Sequence, residues 1–169
     1  ISPHIRDWSE RLRIDGRPGD LVAALRTIRQ EAERVGATQF ESMTAAALWA
    51  FADAQVDVAV VEAGLGGRFD ATNVLRSRVV LLTNVGLDHT DVLGETVEEI
   101  AAEKLAVVHT DDTVVILPDD TFRRFVPAGK IELGGAQEAA AAFVGHPVAL
   151  PPRVSLPGRL EVRTGEIRD

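Results

Sequence analysis

The chain has 169 residues, a formal net charge of -8 at pH 7, and no Cys. An apolar content of 46% is enough for one domain with a buried core. The excess of acidic residues leaves no basic surface to neutralise a phosphate backbone, so we expect no nucleic-acid partner. The lack of Cys excludes a disulfide framework and thiol catalysis, and it suits a reducing cytoplasm. No apolar stretch approaches the roughly 20 residues that span a bilayer, so we expect no membrane segment.

Two helices are predicted in the first third of the chain. Asp20 is a favourable N-cap for a helix over LVAALRTIRQEAERV, and Gly36 follows it as the C-cap. Thr38 and Glu41 have the spacing of a capping box, which predicts a second helix within ATQFESMTAAALWAFADAQ. Apolar residues surround most of that second helix, so we expect it to be deeply buried.

Two apolar runs follow, and both have the length and composition of buried parallel strands. They cover Val56–Val61 and Val79–Val85, and the loop Gly64–Asn73 lies between them. Glu62 and His89 come at or just after the ends of these runs. Ligands of open α/β sheets bind outside the carboxyl ends of the strands, so we expect both side chains to point toward a site.

The rest of the chain continues the alternation of helix and strand. Thr96 and Glu99 form a second capping box, which opens a helix through IAAEKLAVV. Thr113–Leu117 is a third apolar strand, Asp119–Val126 a short helix and Gln137–Val144 an Ala-rich helix. This order predicts an α/β layered sheet. The tail, LPGRLEVRTGEIRD, is either an edge hairpin or the start of a connection to another domain.

The loop GLGGRF after the first strand invites comparison with the dinucleotide fingerprint G-x-G-x-x-G. It departs from that fingerprint at the third glycine, where Phe69 stands. A tight loop that requires glycine for its backbone explains the same residues. A nicotinamide-dependent oxidoreductase therefore stays as an alternative function.

Glu62, His89 and Lys104 are the residues with the clearest chemical potential. A carboxylate that closes a buried strand needs a compensating partner, which is either Mg²⁺ or neighbouring backbone amides. His89 is either a metal ligand or a structural residue. Lys104 is either a surface lysine paired with a carboxylate, or an amine of lowered pKa that reacts with carbon dioxide to give an anionic carbamate.

Four segments together resemble a known family. SPHIRDWSERLRIDG, FESMTAAALWAF, VDVAVVEAGLGGRFDATNV and GLDHTDVLGETVEEIAAEK, in this order, resemble the central domain of folylpolyglutamate synthase/dihydrofolate synthase, in the Mur ligase superfamily. The resemblance runs from Ser2 to Lys104. It implies an α/β fold, with a three-layer Mur-ligase-like central domain and a mostly parallel sheet.

The resemblance also indicates an incomplete domain. No G-x-x-x-x-G-K-[ST] motif occurs, so the strand that carries the phosphate loop is expected to be absent. We therefore interpret residues 1–150 as a partial central (ATPase) domain, and residues 151–169 as a linker or edge segment toward an absent C-terminal domain. Such a fragment is expected to be inactive alone.

The resemblance implies an ATP-dependent carboxylate–amine ligase. In this family ATP phosphorylates a substrate carboxylate, and L-glutamate then attacks the acyl phosphate. The implied acceptor is dihydropteroate, a reduced folate or both, with ATP as substrate and Mg²⁺ as cofactor. The full-length parent is expected to be a cytoplasmic monomer that binds only small molecules. A non-catalytic remnant that keeps the pterin surface is a further alternative.

The same resemblance assigns roles to individual residues. Ser2, Glu62 and His89 resemble the magnesium ligands, and Lys104 resembles the lysine that is carbamylated and helps to hold a second metal. His89 and Lys104 are thus the candidate catalytic residues. Asn73 is a candidate nucleotide contact. The candidate substrate-binding residues, on the pterin side, are Phe40, Glu41, Thr44, Arg68 and Asp70.

Overall fold

A computed structural model describes residues 6–145 and the backbone of residues 154–155 and 161–162. The chain divides into two compact units. The first unit comprises Ile1–Leu65 and Phe69–Val74, and the second comprises Gly66–Arg68 and Leu75–Asp169. The loop that follows Glu62 therefore contributes residues to both units.

The first unit is built on two helices that the sequence predicts. Helix α1 covers Leu21–Val35, with the Asp20 side chain accepting a hydrogen bond from the N–H of Ala23, and it ends at Gly36 in the left-handed region with φ 67°. Helix α2 covers Gln39–Asp53 and begins with the expected capping box of Thr38 and Glu41. Both predicted helices are confirmed.

A single apolar cluster joins these two helices. A 3-10 helix at Trp8–Arg11 leads into a short antiparallel hairpin, β1 (Arg13–Ile14) and β2 (Arg17–Pro18), and places Leu12 in the cluster. Small side chains on the facing surfaces let the helices approach closely. The buried members of the cluster are Leu12, Leu21, Ala24, Met43, Ala46, Ala47 and Ala50.

The predicted strand Val56–Val61 is wrong. Residues 56–61 form no strand, and Val58 and Val60 are 48% and 89% exposed. A strand needs a neighbour for its backbone N–H and C=O groups, and no described residue pairs with this segment. The apolar composition of residues 56–61 therefore does not by itself produce a buried strand, because no described strand lies beside them to pair with and cover them.

The second unit contains the parallel sheet. Its strands are β3 (Val79–Leu81), β4 (Val114–Leu117) and β5 (Lys130–Leu133), in the order β3-β4-β5. Strand β3 is shorter than the predicted Val79–Val85, while β4 agrees with the prediction. The sequence analysis missed β5, whose residues are mostly exposed. The α/β class with a parallel sheet is confirmed.

The second unit also contains helices α3 (Thr90–Leu93), α4 (Val97–Leu105) and α5 (Ala136–Val144), with a 3-10 helix at Asp120–Phe125 where a short helix was predicted. Helix α4 shares an apolar core with β4, α5 contacts β3 and β4, and α3 contacts α4. Helix α4 begins with the predicted capping box of Thr96 and Glu99. The buried apolar cluster of this unit consists of Leu82, Ala101, Leu105, Val108, Val115, Leu117 and Phe122.

The end of the chain contains two short strands, β6 (Val154–Ser155) and β7 (Glu161–Val162), which pair antiparallel. A hairpin was one of the two predictions for the tail, and most of the tail lies outside the described residues. Within residues 6–145, none of the helices has the length and apolar character needed to cross a bilayer.

Candidate active site

The candidate residues fall into two groups, one in each unit. In the first unit, Asp70 closes the glycine loop. One carboxylate oxygen, Oδ2, accepts hydrogen bonds from the N–H groups of Gly64 and Leu65, both at 2.9 Å. The other, Oδ1, accepts from the N–H of Thr72 at 2.9 Å and from its hydroxyl at 2.5 Å. Both oxygens of the predicted substrate contact are thus engaged within the loop.

The other predicted substrate-binding residues of the first unit lie on α2. Phe40 packs on Gly64, where an added Cβ would lie 2.4 Å from Cζ of the ring. Hydrogen bonding with the Thr38 side chain, and then with the Thr38 N–H that donates to the Glu41 carboxylate at 2.7 Å in the capping box, lowers the pKa of the Glu41 carboxyl. Thr44 is buried, and its hydroxyl has no hydrogen-bond partner in the described structure. Their roles toward a substrate stay predictions.

Glu62 lies in the extended segment before the glycine loop. Its side chain is exposed, contrary to the buried strand end that the sequence indicates. Protein atoms around it still desolvate the carboxyl in part, which raises its pKa, while the positive charge of Arg11 opposes that rise. A cation bound at this carboxylate would offset the remaining desolvation.

The structure says less about the predicted ligand contacts of Asn73 and Ser2. The N–H of Asn73 donates to the carbonyl oxygen of Asp70 at 2.9 Å, within the 3-10 helix Ala71–Val74. Ser2, the third predicted magnesium ligand, lies outside the described residues. The 3-10 helix has four residues, so the glycine loop does not open the longer helix on which a dinucleotide phosphate rests.

In the second unit, His89 adopts a backbone conformation that is uncommon outside glycine. Its φ and ψ are 49° and 43°, and its carbonyl oxygen accepts the N–H groups of Val92 and Leu93 at the start of α3. Its own N–H donates to the Asp88 carboxylate at 2.8 Å. The imidazole is exposed, with Nε2 3.8 Å from Asp88 Oδ2. Asp15 and Gln55 also have positive φ, so this conformation does not distinguish His89, and its predicted role stays a prediction.

Lys104 lies in the last turn of α4 and is half-buried. The preceding residue, Glu103, forms an ion pair with Arg68 at 3.1 Å. In the structure the Nε of Arg68 donates to this carboxylate, and the role of Arg68 toward a substrate stays a prediction. The glycine loop and the end of α4 are therefore in direct contact.

Glu62 in the first unit and His89 in the second each offer, separately, a donor for a divalent cation. Among residues 6–145 no cluster of at least three His, Cys, Asp or Glu side chains has the arrangement of a metal site. Mg²⁺ keeps several waters and is commonly held by one or two protein oxygens together with substrate phosphates. The carboxylate of Glu62 is a donor of the type that Mg²⁺ prefers, and the imidazole of His89 is a common ligand of divalent metals; their roles as metal ligands stay predictions.

The chain belongs to the family described as Mur ligase middle domain, which it matches over residues 19–140. Among curated relatives, the dihydrofolate synthase/folylpolyglutamate synthase of Mycobacterium tuberculosis is 40% identical over an alignment of 137 positions, and the match covers 69% of this chain and 28% of the relative.

Solved structures agree with that assignment. The E. coli FolC in complex with DHPP and ADP has a TM-score of 0.73 and 32% identity, covering 81% of this chain and 35% of FolC. A bifunctional folylpolyglutamate synthase/dihydrofolate synthase with Mn, AMPPNP and L-glutamate bound has a TM-score of 0.70 and 32% identity, over 81% of this chain and 36% of that protein. The chain thus spans little more than a third of the structures it matches.

Sequence reasoning missed the structural use of the glycine loop. In the second unit, Gly67 lies against the carbonyl groups of Glu103 and Lys104; in the first unit, Asp70 accepts a hydrogen bond from the N–H of Gly64. The closely spaced glycines of GLGG were the available signal, since such a run indicates that a backbone approaches another segment closely. The sequence could not identify α4 as that segment.

Proposed function

We propose that the full-length protein containing this chain is an ATP-dependent ligase that joins L-glutamate to a pteroate- or folate-type carboxylate. The observation that supports the proposal is the match, across most of the chain, to solved synthases whose ligands include ADP, AMPPNP and L-glutamate. Homology of this extent covers the loop Gly64–Asn73, His89 and Lys104 together, because all of them lie within the matched residues 19–140.

The reaction has two steps. A carboxylate oxygen of the acceptor attacks the γ-phosphorus of ATP, the bond from that phosphorus to the ADP oxygen breaks, and an acyl phosphate forms. The amine nitrogen of L-glutamate then attacks the acyl carbon, the bond from carbon to the phosphate oxygen breaks, and the amine loses a proton. The products are an amide, ADP and inorganic phosphate. Catalysis of both steps depends mainly on positioning and on neutralising phosphate charge.

Within this mechanism Glu62 and His89 are the proposed protein ligands of the divalent cation. The cation, when bound, neutralises negative charge on the transferring phosphoryl group. Mg²⁺ is the proposed ion, since Glu62 supplies the carboxylate oxygen that a hard cation prefers. Ser2 is the proposed further ligand. Exposure of Glu62 and His89 leaves both side chains accessible to a ligand.

Lys104 is proposed to carry a carbamate. The neutral amine nitrogen attacks the carbon of carbon dioxide, a C=O π bond opens onto oxygen, and the nitrogen gives a proton to solvent. The product is an anion that can hold a cation where a lysine cannot.

Release of ADP by the full-length protein tests the proposal. It is measured with L-glutamate and either dihydropteroate or a reduced folate as acceptor. We expect release that requires both L-glutamate and an acceptor, and that falls in the Glu62→Gln and Lys104→Met variants. Turnover with dihydropteroate identifies the synthase activity, and turnover with reduced folate the chain-lengthening one. ATP binding without turnover on either acceptor would refute the folate assignment.

The location and assembly of the protein stay predictions. The proposed cytoplasmic location is supported by the lack of Cys, which suits a reducing compartment, and cell fractionation with the tagged full-length protein tests it. A monomeric parent is tested by light scattering after size-exclusion chromatography.

A further inference from the structure

The backbone of the glycine loop lies directly on the last turn of α4. A Cβ added at Gly67 would lie 2.6 Å from the carbonyl oxygen of Lys104 and 2.7 Å from that of Glu103. Both atoms belong to helix backbone, so neither can swing away as a flexible side chain would. Any residue larger than glycine at position 67 must therefore displace either the loop or the end of α4.

A hydrogen bond fixes the same contact. The N–H of Arg68 donates to the carbonyl oxygen of Glu103 at 3.1 Å. The carbonyl groups in the last turn of a helix have no partner within the helix, so an outside donor satisfies one of them. The loop thus acts as part of the C-terminal cap of α4.

An ion pair adds to this contact. Arg68 Nε donates to Glu103 Oε2 at 3.1 Å, and the side chains are 54% and 17% exposed, respectively. The carboxylate is mostly shielded from water, so it depends on the guanidinium more than a surface partner would. Glu103 immediately precedes Lys104, and the neighbouring Leu105 is fully buried in the core of the unit.

We propose that Gly67 and Arg68 are positioning residues that set the last turn of α4 and, through it, the placement of Lys104. The inference rests on the proposed function, in which Lys104 takes part in the ligase reaction. It gives Arg68 a task different from the substrate contact that the sequence indicates. Arg68 acts on the reaction through Glu103 and the helix end, because its backbone and its side chain both bind Glu103.

The test compares the full-length protein with its Gly67→Ala, Arg68→Gln and Arg68→Lys variants. Two matched controls lie in the same unit. Gly135→Ala adds a Cβ that meets nothing within 4 Å. Arg123→Gln removes an exposed ion pair with Asp120 at 2.7 Å. Each protein is measured for kcat and for the KM of each substrate, and for hydrogen exchange of the peptides that cover residues 66–68 and 101–106.

We expect Gly67→Ala and Arg68→Gln to lower kcat by about 10- to 100-fold, because misplacement of a reacting group by about 1 Å can cost about 100-fold in rate. The KM of each substrate is expected to stay near the wild-type value, and exchange is expected to accelerate in both peptides. Arg68→Lys keeps a cation beside Glu103 and should recover part of kcat. Both controls should stay within about twofold of wild type.

Three results would overturn the inference or separate it from the proposed function. The inference would be overturned if Gly67→Ala and Arg68→Gln both had the kcat and the hydrogen-exchange rates of the wild type. A raised acceptor KM in Arg68→Gln, with unchanged exchange, would overturn it in favour of a substrate contact. If the wild type forms no amide product, the proposed function fails, and the exchange data alone decide whether the loop holds α4. If Gly67→Ala does not fold, the kcat and hydrogen exchange of the two Arg68 variants decide whether the loop positions the last turn of α4.

Discussion

Asp70 and Gly64 are joined by a 2.9 Å hydrogen bond from the backbone N–H of Gly64 to the carboxylate. The Asp70 carboxylate accepts from two pairs of donors, the N–H groups of Gly64 and Leu65 and the N–H and hydroxyl of Thr72. The NH₂ group of an asparagine at position 70 cannot accept, so one of these pairs would lose its acceptor. We expect Asp70→Asn to lower the free energy of unfolding by about 1–3 kcal/mol, since donors are left unpaired. Urea denaturation measures this change in the free energy of unfolding, and the Asp57→Asn variant, at an exposed position, is the control. Equal stability of Asp70→Asn and wild type would show that the loop does not depend on this carboxylate.

Gly64 and Phe40 make a second testable contact. A Cβ at position 64 would lie 2.4 Å from Cζ and 2.8 Å from Cε1 of the ring, so Gly64→Ala forces the ring to move. We expect a loss of about 1–3 kcal/mol from overpacking. The Phe40→Leu substitution removes the clashing ring atoms, so the double variant should be more stable than the sum of the single effects predicts. Additive effects would contradict the contact.

Thr44 offers a test that separates stability from substrate binding. Its hydroxyl is buried without a partner, so Thr44→Val removes an unsatisfied group at nearly constant volume. We expect equal or higher thermal stability, by up to about 1 kcal/mol. Thr27→Val on α1 is the control, because the Thr27 hydroxyl donates to the carbonyl of Ala23 at 3.1 Å. A destabilised Thr44→Val, or one with a raised acceptor KM, would mean that the hydroxyl has a partner in the working enzyme.

The pKa of Glu62 predicts a pH dependence. Partial desolvation by the surrounding protein atoms raises the pKa of this exposed carboxyl in the folded protein, so the folded state binds more protons than the unfolded state between the ordinary and the raised pKa. Without divalent cations, ionised Glu62 therefore lowers stability as pH rises through that window, and the loss persists above it. The effect is expected to be small, because the side chain is exposed.

Melting curves from about pH 4 to about pH 7 check this prediction. In the absence of divalent cations, Glu62→Gln should lack the decline and be at least as stable as wild type at neutral pH. Added Mg²⁺ should stabilise wild type and leave Glu62→Gln unchanged, with the exposed Glu132→Gln behaving as wild type. Equal stabilisation of Glu62→Gln by Mg²⁺ would remove Glu62 from the metal ligands.

Local patterns predicted the helices of both units because their causes are local. The capping boxes of Thr38 with Glu41 and of Thr96 with Glu99 each involve side chains and N–H groups within one turn. Strand β5 and the segment before Glu62 were less predictable. Whether an apolar run forms a strand depends on a neighbour distant in sequence, and Val60 is exposed because the described residues supply none.

The candidate site also combines features that the sequence predicts with contacts that depend on the fold. The resemblance indicated the residues of the glycine loop, but only the structure shows which groups Asp70 and Arg68 bind. Asp70 binds the loop backbone and Arg68 binds Glu103, which lies 35 positions along the chain. Sequence spacing can indicate which residue types meet a phosphate or a metal. It cannot distinguish a carboxylate that binds substrate from one that holds the loop in place.

Transfer of oxygen-18 tests the central claim most directly. The full-length protein is given ATP, L-glutamate and a pteroate- or folate-type acceptor whose carboxylate carries oxygen-18, and the released inorganic phosphate is examined by mass spectrometry. An acyl phosphate intermediate requires that one carboxylate oxygen leaves with the phosphate, so we predict labelled phosphate in step with amide formation. Amide formation with all of the released phosphate unlabelled would contradict the account.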